Sequence, residues 1–410
     1  MRVCIVAEHA SKRFGGEAII PYHYFRILRD RGVDAWLVVH TRTRMELESL
    51  FPNDLDRLRF VEDMAFQRLF YKMSAFLPRR ISESTFGLAN QFLTQLCQRT
   101  LLRQLIREGG VDVIHQPIPV SPRFPSLLSG LGAPLVIGPL NGGMDYPPAF
   151  RKAESFLSRI FVAIARSFSD LANSILPGKK QAELVLVANE RTRQALPSGV
   201  RGRIVELPEN GVDLAQWTLS LSDRREPHRQ SFLFIGRLID WKALDLAIRA
   251  LRSVPSAHLD VIGDGPMLSV WKALATELGV ADRVVFLGWL TQEECATRLS
   301  AAVALILPSL YECGGAVVLE AMAMSKPVIA TKWGGPADYL DQSCGILIEP
   351  ASPQEVVNGF AKAMHKLIAS PELCARLGSA GRARLVRHFD WEKKVDQVML
   401  LYASLQPPVQ

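Results

Sequence analysis

One stretch near the C-terminal end, PSLYECGGAVVLEAMAMSKPVIATKWGGPADYL, constrains this chain more than any other. It spans residues 308–340. The apolar run before it, 303–307, reads as a buried strand. A short loop carrying Glu312, Cys313, Gly314 and Gly315 follows. Residues 316–324, beginning at Ala316, are Ala, Val, Leu, Met and Glu with no proline, and predict a helix. A second apolar run, 327–331, predicts a strand, and a second glycine pair, Gly334–Gly335, comes after it. Strand, glycine loop, helix, strand is a βαβ unit, which commits the chain to a parallel sheet. A helix that starts at the tip of a glycine loop presents unpaired N–H groups and a positive dipole end. Such a tip suits an anion of the diphosphate kind.

Two carboxylates sharpen this reading. Glu312 precedes the helix and Glu320 lies a little over a turn inside it, so both can line one side of the same mouth. Taken alone, a spaced Glu pair is two solvated side chains beside a turn. The flanking strands and glycine pairs shift the balance toward a binding site. The Glu-x7-Glu spacing, with glycines just after the first Glu, resembles the signature of retaining glycosyltransferase family 4, the "glycosyl transferases group 1". That resemblance implies the α/β GT-B fold, two Rossmann-like parallel-sheet domains facing across a cleft. It implies that Glu312 faces the donor sugar, that the amides of Gly314, Gly315 and Ala316 meet the diphosphate, and that Glu320 binds ribose hydroxyls. Gly314 departs from the family pattern, which often has an aromatic there, so a more mobile loop is expected.

Length and composition set the bounds. The chain's 410 residues suit two domains of ordinary size. No apolar run is long enough to span a bilayer. The first residues, MRVCIVA, are too short an apolar run for a signal peptide and read as a first strand. The six cysteines match no zinc spacing and fit a reducing cytoplasm. The net charge of +7 favours anionic partners such as sugar nucleotides or phospholipid surfaces. No nucleic-acid motif accompanies it.

In the first half, residues 3–7 predict a strand, 20–31 a helix and 35–39 a strand, with Gly15 and Gly16 in the first turn. The pair is a tight turn or a phosphate contact. It is not the G-x-G-x-x-G fingerprint, and the family resemblance favours the contact. Residues 57–107 lack strand alternation and predict helices, in which Arg59 to Arg80 interleave basic and aromatic side chains. Such a face is either solvated or lies on an anionic membrane. Strands are expected at 111–115, ending in His115, and at 134–137. The turn after the second carries Asn141 and Gly142. His115, Asn141 and Gly142 are candidates for the acceptor side; each also reads as an ordinary strand end or turn. Shorter elements, a strand at 184–188, a helix at 190–196 and a strand at 204–207, close the half. The tract Glu209-Asn210-Gly211-Val212-Asp213 resembles the family's interdomain crossing.

In the second half, residues 231–235 predict a strand, followed by Gly236-Arg237-Leu238, and Lys242 stands at the opening of a helix over 243–251. Each cation alone is a surface charge. A guanidinium and an ammonium at a strand end and a helix start also suit a diphosphate, the role the family gives them in its Gly-Arg-Leu…Lys pattern. Strands are expected at 259–262, ended by Gly263-Asp264-Gly265-Pro266, at 284–287, followed by Gly288-Trp289, and at 346–348. Asp264 marks a turn or a donor contact. Trp289 stacks on the nucleotide base or covers the core. Helices are expected over 354–367, 372–388 and 391–405.

Together these readings give an N-terminal acceptor-binding domain over 1–207, a linker over 208–230 and a nucleotide-sugar-binding domain over 231–390. The helix 391–405 is expected to pack back on the first domain. The resemblance implies a hexosyltransferase-type enzyme moving sugar from a UDP- or GDP-linked donor to a sugar or lipid-linked acceptor, with retention. Glu312, Arg237 and Lys242 carry the chemistry. No cofactor and no metal is expected. A cytoplasmic enzyme, peripheral on the membrane's inner face, in cell-envelope or exopolysaccharide synthesis, fits the family. The rivals are a GT-B epimerase or phosphorylase, or a nucleotide-sugar-binding protein without catalysis.

Overall fold

The computed structural model of the chain describes residues 1–13, 16–63, 88–153, 169–217 and 230–406. Its contacts divide the chain into two units. The first comprises Met1–Gly143, Ile160–Glu209 and Val395–Gln410; the second comprises Met144–Arg159 and Asn210–Lys394.

Among the described residues each unit is built on one parallel sheet. The first has β1 (Arg2–Val6), β2 (Asp34–His40), β3 (Leu58–Val61), β4 (Val113–Gln116), β5 (Leu135–Leu140), β6 (Leu184–Val187) and β7 (Arg203–Glu206). Their order is β3-β2-β1-β4-β5-β6-β7, every pairing parallel. The second has β8 (Ser231–Ile235), β9 (His258–Ile262), β10 (Val284–Gly288), β11 (Leu305–Leu307), β12 (Val328–Thr331) and β13 (Ile346–Ile348). Their order is β10-β9-β8-β11-β12-β13, again parallel throughout. Central strands such as Val3–Val6 and Leu305–Leu307 are closed to solvent on both faces, so they read as continuous apolar runs.

The same reversal of strand order occurs in each sheet, between β1 and β4 and between β8 and β11. At such a switch point the loops leaving neighbouring strands diverge, and a crevice opens at the carboxyl ends. Capping by Thr291, Ser352 and Ser370 starts three of the second unit's helices where polar residues interrupt the apolar pattern. Among the described residues no helix is long and apolar enough to cross a membrane.

Several sequence expectations change here. Residues 58–61, expected within a helical stretch, form β3 at the sheet edge. Leu-Arg-Phe-Val is too short for alternation to stand out. Its basic residue is used locally, because the Arg59 guanidinium lies 4.4 Å from the Trp36 ring centroid, with Arg57 at 4.9 Å. Arg59 is therefore spoken for within the fold, and the rest of the proposed basic face beyond Asp63 falls outside the described residues. β5 runs on to Leu140, three residues past the expected end at 137. Met144–Arg159 groups with the second unit although its sequence position lies in the first half. The helix Trp391–Ala403 begins in the second unit and continues in the first, where the Tyr402 hydroxyl bonds His115. Most of the expected linker, 218–229, lies outside the described residues.

Candidate active site

The loops after β8 and β11 meet at the second unit's switch point, and they carry Arg237, Lys242 and Glu312. After β8 the chain crosses Gly236 and Arg237 and enters a tight 3-10 turn, Asp240–Lys242. Ala243 ends that turn in the left-handed region, at φ 48°, before the helix Leu244–Leu251. A non-glycine residue there costs on the order of 1 kcal/mol or more, and the strain re-aims the chain just where Lys242 leaves it. The turn is tied to the neighbouring loop by Leu310 N–H donating to Trp241 O at 2.9 Å.

Lys242 Nζ donates to Glu312 Oε2, and both side chains are largely closed to solvent, at 14% and 13% exposure. Ser309 Oγ donates to the same carboxylate oxygen at 3.3 Å. A half-buried ion pair of this kind holds each partner in place, and losing one leaves the other charge uncompensated. Glu312 also folds over the start of the helix Ala316–Ala323: its Cγ lies 3.1 Å from where a Cβ on Gly315 would stand. Gly315, at φ +86°, is that helix's N-cap. The carboxylate therefore sits beside a lysine and a helix N-terminus, a place electrostatically suited to an anion.

The two glycine pairs serve a purpose beyond presenting amides. Gly335 N–H donates to Glu312 O at 2.8 Å. A Cβ on Gly335 would lie 1.7 Å from Gly314 O, and one on Gly334 2.2 Å from Glu312 O. The loops interlock backbone to backbone, which only glycine permits.

Glu320 lies inside the helix Ala316–Ala323 and is partly accessible. It has no hydrogen-bond or ion-pair partner among the described residues. Protein replaces enough of its water that burial pushes the carboxyl up to about 7. Arg237 is exposed and also has no ion-pair partner among the described residues. Asp264 is exposed, and its Oδ1 accepts from Gly265 N–H at 2.7 Å, a local turn contact. Trp289 is 74% exposed, so it does not cover the core and its ring face is open to a ligand.

Residues outside every motif also reach this site. From the segment Met144–Arg159, the Met144 sulfur lies 2.8 Å from where a Gly334 Cβ would stand. Asp145 O accepts from Trp333 Nε1 at 2.8 Å, and the Tyr146 and Tyr311 rings lie 5.4 Å apart. No sequence signal ties residues 144–146 to a loop so far along the chain.

In the first unit the expected acceptor residues fare differently. His115 is fully buried; its Nε2 contacts Gly138 O at 2.5 Å and its Nδ1 contacts the Tyr402 hydroxyl at 2.6 Å. With Nε2–H donating to the carbonyl, Nδ1 accepts from the tyrosine. Burial holds the ring down to about 4, so it is neutral. Both nitrogens are spent inside the fold, which removes His115 as an acceptor contact. Asn141 is buried, and its Nδ2 donates to Glu209 Oε2. Gly142 N–H donates to Thr192 Oγ1 at 3.1 Å, and a Cβ there would press on Pro122. Both are held by contacts to later segments of the first unit. Gly16, at φ +55°, opens the 3-10 turn Gly16–Ala18; Gly15 lies outside the described residues.

Residues 222–384 match the family model described as "Glycosyl transferases group 1". The chain is 32% identical over 171 residues to the lipopolysaccharide core biosynthesis glycosyltransferase LpsE of Rhizobium meliloti, covering 42% of this chain and 48% of that one. It is 32% identical over 235 residues to a GDP-mannose-dependent alpha-(1-6)-phosphatidylinositol monomannoside mannosyltransferase of Mycolicibacterium smegmatis, covering 52% and 60%. The chain thus spans about half the length of the curated relatives it matches. Its fold is that of solved GT-B glycosyltransferases. Anabaena HepE in complex with UDP aligns with a TM-score of 0.69 at 19% identity, covering 98% of this chain and all of that one. The lipopolysaccharide glycosyltransferase WaaG aligns at 0.63 and 16% identity, covering 96% of this chain and 99% of that one.

Proposed function

We propose that the chain is a retaining glycosyltransferase that moves a hexosyl group from a UDP- or GDP-linked donor to a hydroxyl acceptor. The observation that carries this is the pairing of Lys242 with Glu312 at a switch point where Glu320 stands unpartnered. In this reading Glu320 takes the ribose hydroxyls, which supply the hydrogen bonds its carboxylate lacks in the protein. The diphosphate lies at the N-terminus of the helix Ala316–Ala323, against the amides of Gly314, Gly315 and Ala316. Arg237 and Lys242 neutralise it, and Trp289 offers its exposed face to the base.

Lys242 gives the site its chemical logic. Without donor its charge is shared with Glu312. When the diphosphate enters, the ammonium is divided between two anions, and Glu312 is left to answer positive charge growing on the sugar. As the glycosidic bond lengthens, charge moves onto the leaving phosphate, to be answered by the lysine, the arginine and the helix end. No side chain need bond the sugar: the leaving phosphate, on the face the acceptor approaches, accepts the acceptor's proton. Named relatives in lipopolysaccharide and phosphatidylinositol mannoside synthesis support a role in envelope glycoconjugate assembly.

The test is a panel of UDP- and GDP-sugars, with nucleotide release measured with and without acceptor extracts. Acceptor-stimulated release with retained anomeric configuration supports transfer. Nucleotide-sugar binding without release under any acceptor would instead make this a binding protein.

A further inference from the structure

Lys242 and Ser309 hold the tip of the Glu312 side chain, but those contacts leave its backbone unfixed. Cys313, Gly314 and Gly315 follow it and bring almost no side chain with which to pin the loop. Glycines leave a backbone free to move, so order here has to come from outside. Two supports supply it. The Glu312 carbonyl accepts from Gly335 N–H at 2.8 Å. Tyr311, the residue before, sets its ring 5.4 Å from that of Tyr146, at an interplanar angle of 37°.

Both supports lead back to one short segment. Asp145 O accepts from Trp333 Nε1 at 2.8 Å, which ties down the loop that holds the Glu312 carbonyl. The Met144 Sδ and Cε each lie 2.8 Å from where a Gly334 Cβ would stand. The same point lies 2.2 Å from Glu312 O, so thioether and carbonyl crowd the one space that glycine leaves open. Residues 144–146 therefore meet the loops on either side of Glu312. The segment is itself fastened. Met144 is buried, and Phe150 lies in the second unit's core with Tyr146 packed against it. Phe150 N–H donates to Pro147 O at 2.8 Å, and Arg151 Nε donates to Tyr146 O at 3.4 Å, which closes the turn between them.

We infer that Met144, Asp145 and Tyr146 form a strap that sets where Glu312 stands, and that they are positioning residues for the transfer step. A carboxylate that answers charge on a sugar must be placed closely, because small misplacements cost much of the rate. Holding the diphosphate asks less of this strap, since the helix N-terminus, Arg237 and Lys242 carry that task in the proposed reaction. The strap should therefore act on the rate of transfer and not on nucleotide affinity. An aromatic pair suits the purpose, because each ring is rigid and has few rotamers to lose. The thioether suits the irregular space beside Gly334.

This inference rests on the proposed reaction for the role of Glu312; the hold on its loop is tested without any sugar. Tyr146→Ala should lower kcat about 10–100-fold and leave UDP affinity within about twofold. Tyr146→Phe keeps the ring and should keep kcat within about twofold. Trp333→Phe loses only the indole N–H and should lower kcat about 3–10-fold. The second readout is alkylation of half-buried Cys313 by iodoacetamide, followed by peptide mass spectrometry. Cys374, on the helix Pro371–His388, is the internal reference. Tyr146→Ala should speed modification of Cys313 at least ~5-fold relative to Cys374, and Tyr146→Phe should leave it unchanged. Parent-like kcat and Cys313 alkylation in Tyr146→Ala overturn the inference. So does an equal loss of rate from Tyr146→Phe, or a loss of UDP affinity as large as the loss of rate. If Tyr146→Ala frees Cys374 as well, that variant has opened throughout and Trp333→Phe decides: parent-like kcat and alkylation there overturn the inference. If Cys313 responds as expected but the parent transfers sugar from no donor, the strap's hold on the loop stands and the glycosyltransferase reading falls.

Discussion

The two units run the same strand order to a switch point and then dress it with opposite chemistry. At the second, a lysine stands beside a helix N-terminus, an exposed arginine follows the neighbouring strand, and a carboxylate without a partner among the described residues lies deeper in the same helix. At the first, a glutamate bridges the loops after β1 and β4, and Lys179 is buried behind the second loop, holding its carbonyls. Topology makes the crevice in each case; side chains decide what enters it. A crevice whose cations stand beside a helix N-terminus suits a diphosphate. Variants can test whether that division is real.

The largest expected effect is at Glu312. Glu312→Gln keeps the shape of the side chain and removes its charge. Sugar transfer should fall on the order of 10²–10³-fold, the scale of removing one aligned electrostatic group. UDP binding should hold or tighten, because Lys242 no longer shares its ammonium with a carboxylate. Calorimetry with UDP beside initial rates with the donor sugar gives both numbers. Parent-like transfer by this variant would remove Glu312 from the sugar end.

Glu320 comes next. Glu320→Gln should weaken UDP binding about 10–100-fold, corresponding to loss of a charge-assisted hydrogen bond worth roughly 1.5–3 kcal/mol. In the parent, affinity should also depend on pH. The carboxyl sits at about 7 without ligand, and ribose hydroxyls favour its ionised form, so binding must expel a proton below that value. For UDP-glucose, whose diphosphate does not titrate in this range, affinity should drop about tenfold between pH 8 and pH 6 in the parent and stay level in the variant. An identical pH dependence in both proteins would assign it to some other group.

A smaller effect appears in stability. The folded-state value of Glu320 lies above the value of 4.5 for an unperturbed glutamate. The folded protein therefore holds a proton that the unfolded chain releases. Stability falls as pH rises from about 4.5 to about 7 and is level above. Glu320→Gln escapes that loss and should be more stable than the parent at pH 8, by up to about 3 kcal/mol, and nearly equal to it at pH 4. Melting curves at the two pH values check this. A gain of stability alongside a loss of nucleotide would mark Glu320 as a residue kept for its ligand.

The second unit was far more legible in the sequence than the first, and the reason is physical. Diphosphate recognition uses backbone amides and glycine turns at fixed offsets from strand ends, so Glu312, Glu320, Arg237 and Lys242 stand in a readable spacing. Even there the spacing did not reveal that Lys242 pairs with Glu312, or that Gly335 exists to let Gly314 approach. The strand order was hidden too, since apolar runs show that strands exist but not which are neighbours. In the first unit the polar contacts join separate loops and follow no fixed spacing. Glu17 has no motif, and its bridge to Val120 joins positions far apart in the chain. His115 drew attention as a histidine at a strand end, but its partner Tyr402 lies at the other end of the sequence. Met144–Arg159 crossed to the second unit because its contacts, not its position, decide where it belongs.

The smallest expected effect is the one that separates the crevices most cleanly. A diphosphate carries charge that must be matched when it departs, either by a bridging divalent cation or by protein cations. The second unit supplies Arg237, Lys242 and a helix N-terminus, so transfer should proceed at nearly the parent rate in excess EDTA. If a metal were the missing counter-charge, EDTA would abolish transfer and Mg²⁺ or Mn²⁺ would restore it. Arg237→Ala then sharpens the result. With one protein cation gone, added Mg²⁺ should recover part of the lost rate, because the ion substitutes for the guanidinium against the same oxygens. Recovery in the variant with indifference in the parent would mean that protein charge fills the metal's role. Indifference in both would place Arg237 away from the diphosphate and leave Lys242 and the helix end to hold it.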